Sequence, residues 1–204
     1  MASFYRRKGK RILDVAGASV GIVISSPITL TTAIVVGKKM GSPVLFRQMR
    51  PGLHGQPFIL LKFRTMFSPD TAGSNVESDA ERITLTGRFL RLTSIDELPE
   101  FWNVLRGDMS LVGPRPLLID YLDRYSTEQA RRHEVRPGIT GWAQVNGRNA
   151  LTWDEKFTFD VWYVDHLSLR TDIGILWKTI KAVVNRKGIA ADGHETMPEF
   201  KPVV

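Results

Sequence analysis

Residues 94–116 read Ser-Ile-Asp-Glu-Leu-Pro-Glu-Phe-Trp-Asn-Val-Leu-Arg-Gly-Asp-Met-Ser-Leu-Val-Gly-Pro-Arg-Pro. Two adjacent carboxylates, Asp96 and Glu97, fall where a helix over 97–105 is expected to begin, and Gly107 is expected to end it. A stiff Pro114-Arg115-Pro116 segment follows. Carboxylates at a positively polarised helix end, with an arginine held between prolines nearby, suit the handling of a phosphate and its metal ion. The flanking sequence has to say which phosphate.

The segments around this run predict an α+β fold, predominantly helical, with one small antiparallel hairpin. Short apolar runs at 43–47 and 58–63 flank Arg-Pro-Gly-Leu-His-Gly-Gln-Pro at 50–57, the pattern of a hairpin with a wide turn. Residues 68–78 carry Pro69 and Gly73 and read as a polar loop. Helices are expected over 81–91, 117–125, 127–134, 153–163 and 172–184. Pro137, Gly138, Gly141 and Gly147 make 136–149 loop-like.

A chain of 204 residues, 43% hydrophobic, can bury one sizeable core and is no disordered polyelectrolyte. It contains no cysteine, which excludes disulfides and thiolate metal sites. The formal net charge of +7 asks for anionic partners: nucleic acid, acidic lipid or phosphorylated small molecules.

The first forty residues narrow that choice. A basic cluster, Tyr-Arg-Arg-Lys-Gly-Lys-Arg at 5–11, precedes a stretch over 12–36 that is apolar apart from Asp14 and small hydroxyl residues. Lys38 and Lys39 close it. Twenty-five helical residues reach roughly 37 Å, enough to cross a hydrocarbon core of about 30 Å. Cations at both ends argue against a single pass, which would load only its cytoplasmic end. Ser26 and Pro27 sit near the middle, where proline removes a backbone donor and bends the helix, and serine hydroxyls can occupy the groups so freed. Both facts fit a re-entrant, monotopic helix-break-helix anchor over 1–39, with a through-going helix as the alternative, followed by a domain over 40–204. A cleaved signal lacks its Ala-x-Ala site, and a buried core helix needs no basic clusters at its ends.

Familiar catalytic motifs are missing. The sequence holds no Asp-x-Asp, no P-loop, no Gly-x-Gly-x-x-Gly, no zincin pair and no Gly-x-Ser-x-Gly. What remains is a set of charged residues around two turns. Lys62 and Arg64 share a strand face by alternation. Arg91 precedes Asp96, Arg115 lies between prolines, Arg136 and Arg148 bracket the glycine-rich segment, and Asp160 sits on the next helix. Each also has a purely structural reading. Lys62 and Arg64 could face solvent, Glu97 could close a capping box with Ser94, Asp96 could be a cap, and Asp160 an ordinary surface charge. Phe101, Trp102 and the aromatics of 153–159 read as core.

Taken jointly, the 94–116 run, Lys-Phe-Arg-Thr-Met at 62–66 and Arg-Pro-Gly-Ile-Thr-Gly-Trp-Ala-Gln-Val-Asn-Gly-Arg at 136–148 closely resemble the bacterial sugar transferases. More narrowly, they are similar to the small monotopic phosphoglycosyl transferases, over nearly the whole chain; its shortness fits the minimal members. The resemblance implies transfer of a sugar-1-phosphate from a UDP-sugar to undecaprenyl phosphate, with release of UMP, at the cytoplasmic face of the bacterial inner membrane. It implies an Asp-Glu dyad at Asp96 and Glu97, a helix broken at Ser26-Pro27, and the Pro-Arg-Pro at 114–116. The minimal relatives imply an N-acetylated hexosamine or a diacetamido-trideoxyhexose as the donor sugar.

The chemistry expected from these residues is a double displacement. Asp96, kept ionised by a helix end, attacks the β-phosphorus; Asp96 and Glu97 help hold Mg²⁺; Lys62, Arg64, Arg91 and Arg115 bind phosphoryl oxygens. Arg136, Arg148 and Asp160 complete the expected substrate-binding set. Oligomeric state is not legible. Two other classes compete: an inert membrane-anchored scaffold, and a tethered nucleic-acid binder, for which no recognition motif is present.

Overall fold

The computed structural model describes residues 4–67, 82–147, 150–184 and 200. The expected loop at 68–78, the start of the helix expected at 81, and Arg148 lie outside the described residues. A turn of π-helix, Tyr5–Gly9, leads into α1, Lys10–Met40, one continuous helix with Pro27 inside it. At about 1.5 Å per residue it is roughly 46 Å long. It is the one helix among the described residues long and apolar enough to cross a membrane. Ser26 Oγ donates to the Val23 carbonyl at 2.8 Å, the group that Pro27 cannot reach for want of an N–H. Thr31 Oγ1 in turn donates to the Pro27 carbonyl at 2.8 Å.

One face of α1 packs on the rest of the chain near both of its ends. At the start, Lys10, Asp14 and Ala18 are buried; at the end, Thr32, Val36 and Met40 are. A side chain at Gly17 or Gly21 would meet Leu111 or Phe101 closer than 3 Å, so these glycines admit a close helix contact. Val36 and Met40 join Phe63 and Leu90 in a small core. Away from this face Val20, Val23, Ile24, Ile28 and Leu30 are each at least half exposed.

Asp14, the lone acid of the apolar stretch, accepts from Ser110 Oγ at 2.8 Å and from the Leu111 N–H at 2.9 Å. Beside it, Asp172 accepts from Tyr5 (2.5 Å), Lys10 (2.8 Å) and Tyr163 (2.7 Å). This buried network fastens the start of α1 to the far end of the chain. Every member has a partner, as interior polar groups must.

The hairpin forms as expected. β1, Leu45–Pro51, pairs antiparallel with β2, Pro57–Phe63, in the register Arg50 opposite Phe58. Then come α2, Leu85–Leu92; a 3₁₀ turn, Ile95–Glu97; α3, Glu100–Arg106; β3, Ser110–Val112; and a 3₁₀ turn, Ile119–Arg124. α4, Thr127–Ala130, continues as 3₁₀ through Arg131–Glu134. β4, Gly138–Thr140, α5, Trp142–Val145, α6, Trp153–Asp165, and α7, Leu169–Val184, complete the order.

Two expectations are corrected here. The 136–149 segment is not loop throughout: β4 pairs parallel with β3, and α5 follows at once. This pairing needs glycine. A side chain at Gly113 would meet the Arg136 carbonyl at 2.3 Å, and one at Gly138 would meet Gly113 N at 2.1 Å. The helix after the dyad starts at Glu100, not Glu97. Pro99 has no N–H to give the Ile95 carbonyl, so Leu98 N–H takes it at 3.2 Å and the chain tightens into 3₁₀.

Candidate active site

The dyad stands on a strained turn. Ser94 closes α2 in the left-handed region, φ 56°, which costs a non-glycine residue on the order of 1–3 kcal/mol. Its side chain caps nothing, so the capping box with Glu97 does not form. The turn directs Asp96 and Glu97 toward the end of β2 and the segment after β3.

The two carboxylates are handled differently. Glu97 Oε1 accepts from Lys62 Nζ at 2.8 Å and from Arg115 Nη2 at 2.6 Å. Burial works against its charge, but those two cations outweigh it and hold the carboxyl well below its usual range. Asp96 is 8% exposed and makes no hydrogen bond or ion pair among the described residues. Burial, then the charge of Glu97, pushes its carboxyl up from 3.8 to about 6, against the pull of Lys62, Arg115 and Arg91. The helix end expected to help keep it ionised lies four residues further on, at Glu100, and desolvation is the largest influence on it.

A third carboxylate belongs to the cluster, and the sequence reading missed it. Glu100, 2% exposed at the start of α3, lies 3.2 Å from Lys62 Nζ, and burial pushes it up to about 7. Its one sequence signal was a third acid four residues after Asp96, in the same run.

Arg115 is fixed from behind. Gly138 N–H donates to the Pro114 carbonyl at 2.9 Å, and Arg132 Nη2 donates to the Arg115 carbonyl at 2.7 Å. Arg132 is in turn held by Asp160 at 2.7 Å. Asp160 is buried, 3% exposed, so it acts on the Pro-Arg-Pro segment through Arg132 and is no surface charge. The sequence reading did not name Arg132, whose partners stand 17 and 28 residues away.

The remaining residues divide. Arg91, at the end of α2, donates Nε to Thr65 Oγ1 at 3.0 Å and lies close enough to Asp96 to favour its charge. Arg64 lies beyond the end of β2 and does not share Lys62's partners. It donates to the carbonyls of Met40, Gly41 and Ser42, capping α1. Arg136 donates Nε to the Gly107 carbonyl at 2.7 Å, where Arg11 also caps α3 through Val104 and Leu105. Neither Arg64 nor Arg136 pairs with the three carboxylates among the described residues.

No group of three His, Asp or Glu side chains among the described residues is placed to hold a metal ion. The donor set still fits Mg²⁺, which takes one or two carboxylates and completes its shell with water and substrate phosphates. Both clamp bonds use Oε1 of Glu97, leaving Oε2 and the oxygens of Asp96 as hard donors.

With this geometry in hand, comparison with known proteins places the chain. Residues 5–186 match the family model of the bacterial sugar transferases. The chain belongs to that family. It is 54% identical over 191 residues to an uncharacterized sugar transferase, EpsL, of Bacillus subtilis, covering 94% of this chain and 95% of that one. It is 42% identical over 187 residues to a UDP-glucose:undecaprenyl-phosphate glucose-1-phosphate transferase of Caulobacter vibrioides, covering 86% and 69%. It is 39% identical over 196 residues to an undecaprenyl-phosphate galactose phosphotransferase of Salmonella typhimurium, covering 88% of this chain but only 41% of that protein. The Salmonella protein, like other relatives, is thus more than twice as long as the part matched.

Proposed function

We propose that the chain transfers a sugar-1-phosphate from a UDP-sugar to undecaprenyl phosphate and releases UMP, in two displacements through Asp96. The observation that carries this reading is the contrast within the dyad: Glu97 is pinned by two cations, while Asp96 beside it is desolvated and unpaired. A nucleophile needs that freedom. In the first step an Asp96 oxygen forms a bond to the β-phosphorus as the bond to the UMP oxygen breaks, leaving an acyl phosphate. In the second, an oxygen of the lipid phosphate attacks the same phosphorus and the carboxylate leaves.

Lys62, Arg115 and Arg91 surround the point where negative charge concentrates, and Glu97 keeps the first two oriented. A bound Mg²⁺ would offset diphosphate charge, with Asp96 and Oε2 of Glu97 as the donors to hold it. Arg64 and Arg136, engaged on helix ends, serve the scaffold in this reading. The donor sugar is an N-acetylated hexosamine or a diacetamido-trideoxyhexose. Among the relatives, one is named for N-acetylgalactosamine and others for glucose or galactose.

The anchor is proposed to be re-entrant, entering from the cytoplasmic face of the bacterial inner membrane and returning to it. Support comes from the packing of both ends of α1 on one body, which leaves neither end free to reach the opposite side. Ser26 satisfies the carbonyl freed at Pro27, as burial in lipid requires. The test is UMP release by purified protein in nanodiscs across a panel of UDP-sugars with undecaprenyl phosphate. Release with at least one sugar, abolished by Asp96→Asn with membrane insertion intact, is expected. No release with any sugar would defeat the reading.

A further inference from the structure

Among the described residues, most arginines that the fold draws inward sit against an acid or a carbonyl. Arg132 pairs with Asp160, Arg115 with Glu97, and Arg11, Arg64 and Arg136 sit on helix-end carbonyls. Arg50 has none of these. Its Nη2 donates to a neutral amide, Gln48 Oε1, at 2.5 Å, while its Nε is buried without a hydrogen bond. The charge it feels most is the like charge of Arg115, and burial and that repulsion both lower its proton affinity. A desolvated cation facing a second cation costs free energy unless an anion joins them.

Position says where the anion would sit. Arg50 is near the end of β1, and the next residue, Pro51, lines a small recess with Pro114, Arg115 and Pro116. Glu100, on the carboxylate side of the cluster, also acts on Arg50. Arg50 therefore stands beside the Pro-Arg-Pro segment on the hairpin side, within the field of Arg115 and Glu100.

We infer that Arg50 and Arg115 together form a phosphoryl-binding subsite, with Arg50 contacting substrate directly. Guanidinium pairs suit this task, because each presents two N–H groups to phosphate oxygens. The inference rests on the proposed phosphosugar transfer for its role, but not for its measurement. The phosphoryl group is that of the donor nucleotide or of the acceptor lipid.

The experiment uses the full chain in nanodiscs with Asp96→Asn, so that no turnover intervenes, with and without Arg50→Gln. Pyrophosphate, UMP and a short-chain polyprenyl phosphate are titrated by thermal shift. Arg50→Gln should leave the unliganded Tm unchanged or higher, since it removes a partly buried cation that has no acidic partner, yet weaken pyrophosphate at least tenfold. Arg50→Lys should fall between. A parallel loss for UMP assigns the subsite to the donor, and for the polyprenyl phosphate to the acceptor. Unchanged affinity for all three anions overturns the inference, as does a lowered unliganded Tm with anion affinity retained. Failure of the wild-type protein to release UMP would defeat the catalytic reading and leave this result to stand by itself.

Discussion

Glu97 Oε1 accepts a 2.6 Å bond from Arg115 Nη2 across eighteen residues of chain, and that bond joins the dyad to the Pro-Arg-Pro segment. It makes Glu97 a fixed anion and Arg115 an oriented cation, and leaves Asp96 as the uncommitted carboxylate.

If that clamp organises the site, Arg115→Ala lowers kcat for UMP release by about 10²–10³, the usual loss when a charge-stabilising donor is removed. Arg115→Lys keeps the charge but not the two-pronged geometry, and should lose about tenfold. Steady-state UMP assays in nanodiscs, with circular dichroism to confirm folding, give both values.

The pH dependence follows from the upward push on Asp96, to about 6. The nucleophile must be ionised, so single-turnover UMP release should decline as pH falls through about 6. Removing Arg115 takes away a charge that holds Asp96 down, so the midpoint should move higher in Arg115→Ala.

The same shift has a stability consequence of opposite sense. The folded-state value lies above the ordinary 3.8, so protonated Asp96 contributes stability that is complete below about 4 and lost as pH rises through about 6. At pH 7 the ionised group costs up to about 3 kcal/mol at 1.36 kcal/mol per pH unit. Asp96→Asn should therefore raise Tm by several degrees at pH 7 and have little effect at pH 4. Differential scanning fluorimetry at the two pH values measures this.

Much of this was legible in the chain. The hairpin showed itself because two apolar runs flank a Pro- and Gly-rich turn, and α6 formed where a helix over 153–163 was expected, its start capped by Thr152 and Glu155. The carboxylate pair and Arg115 could be picked out as residues. Their environment could not. The three-residue strands β3 and β4 are too short to show alternation, and they pair across 28 positions in parallel. Asp14 stood out in an apolar run, yet its acceptor role depends on Ser110 and Leu111, nearly a hundred residues on. How far a helix end could help keep Asp96 ionised against burial turned on where Pro99 lets α3 begin.

Asp160 offers a check on the support behind Arg115. Asp160→Ala leaves Arg132 buried and unpaired, and should cost about 3–5 kcal/mol. Asp160→Ala with Arg132→Met should recover most of that stability but not the UMP-release rate, because the Arg115 carbonyl loses its donor. Urea unfolding and kinetics on the same samples separate the two effects.

The junction of anchor and domain is tested at Asp14. Asp14→Val strands two buried donors, Ser110 Oγ–H and Leu111 N–H, at about 1–3 kcal/mol each. The variant should insert into membrane but unfold at a distinctly lower temperature, as read by the loss of UMP release after graded heating.

The most direct measurement is intact-peptide mass spectrometry after mixing wild-type protein with a UDP-sugar and no lipid acceptor. The account predicts a burst of up to one UMP per chain and a sugar-phosphate mass on the peptide bearing Asp96. UMP formed only when the lipid is also present, or the added mass on any other residue, would contradict it.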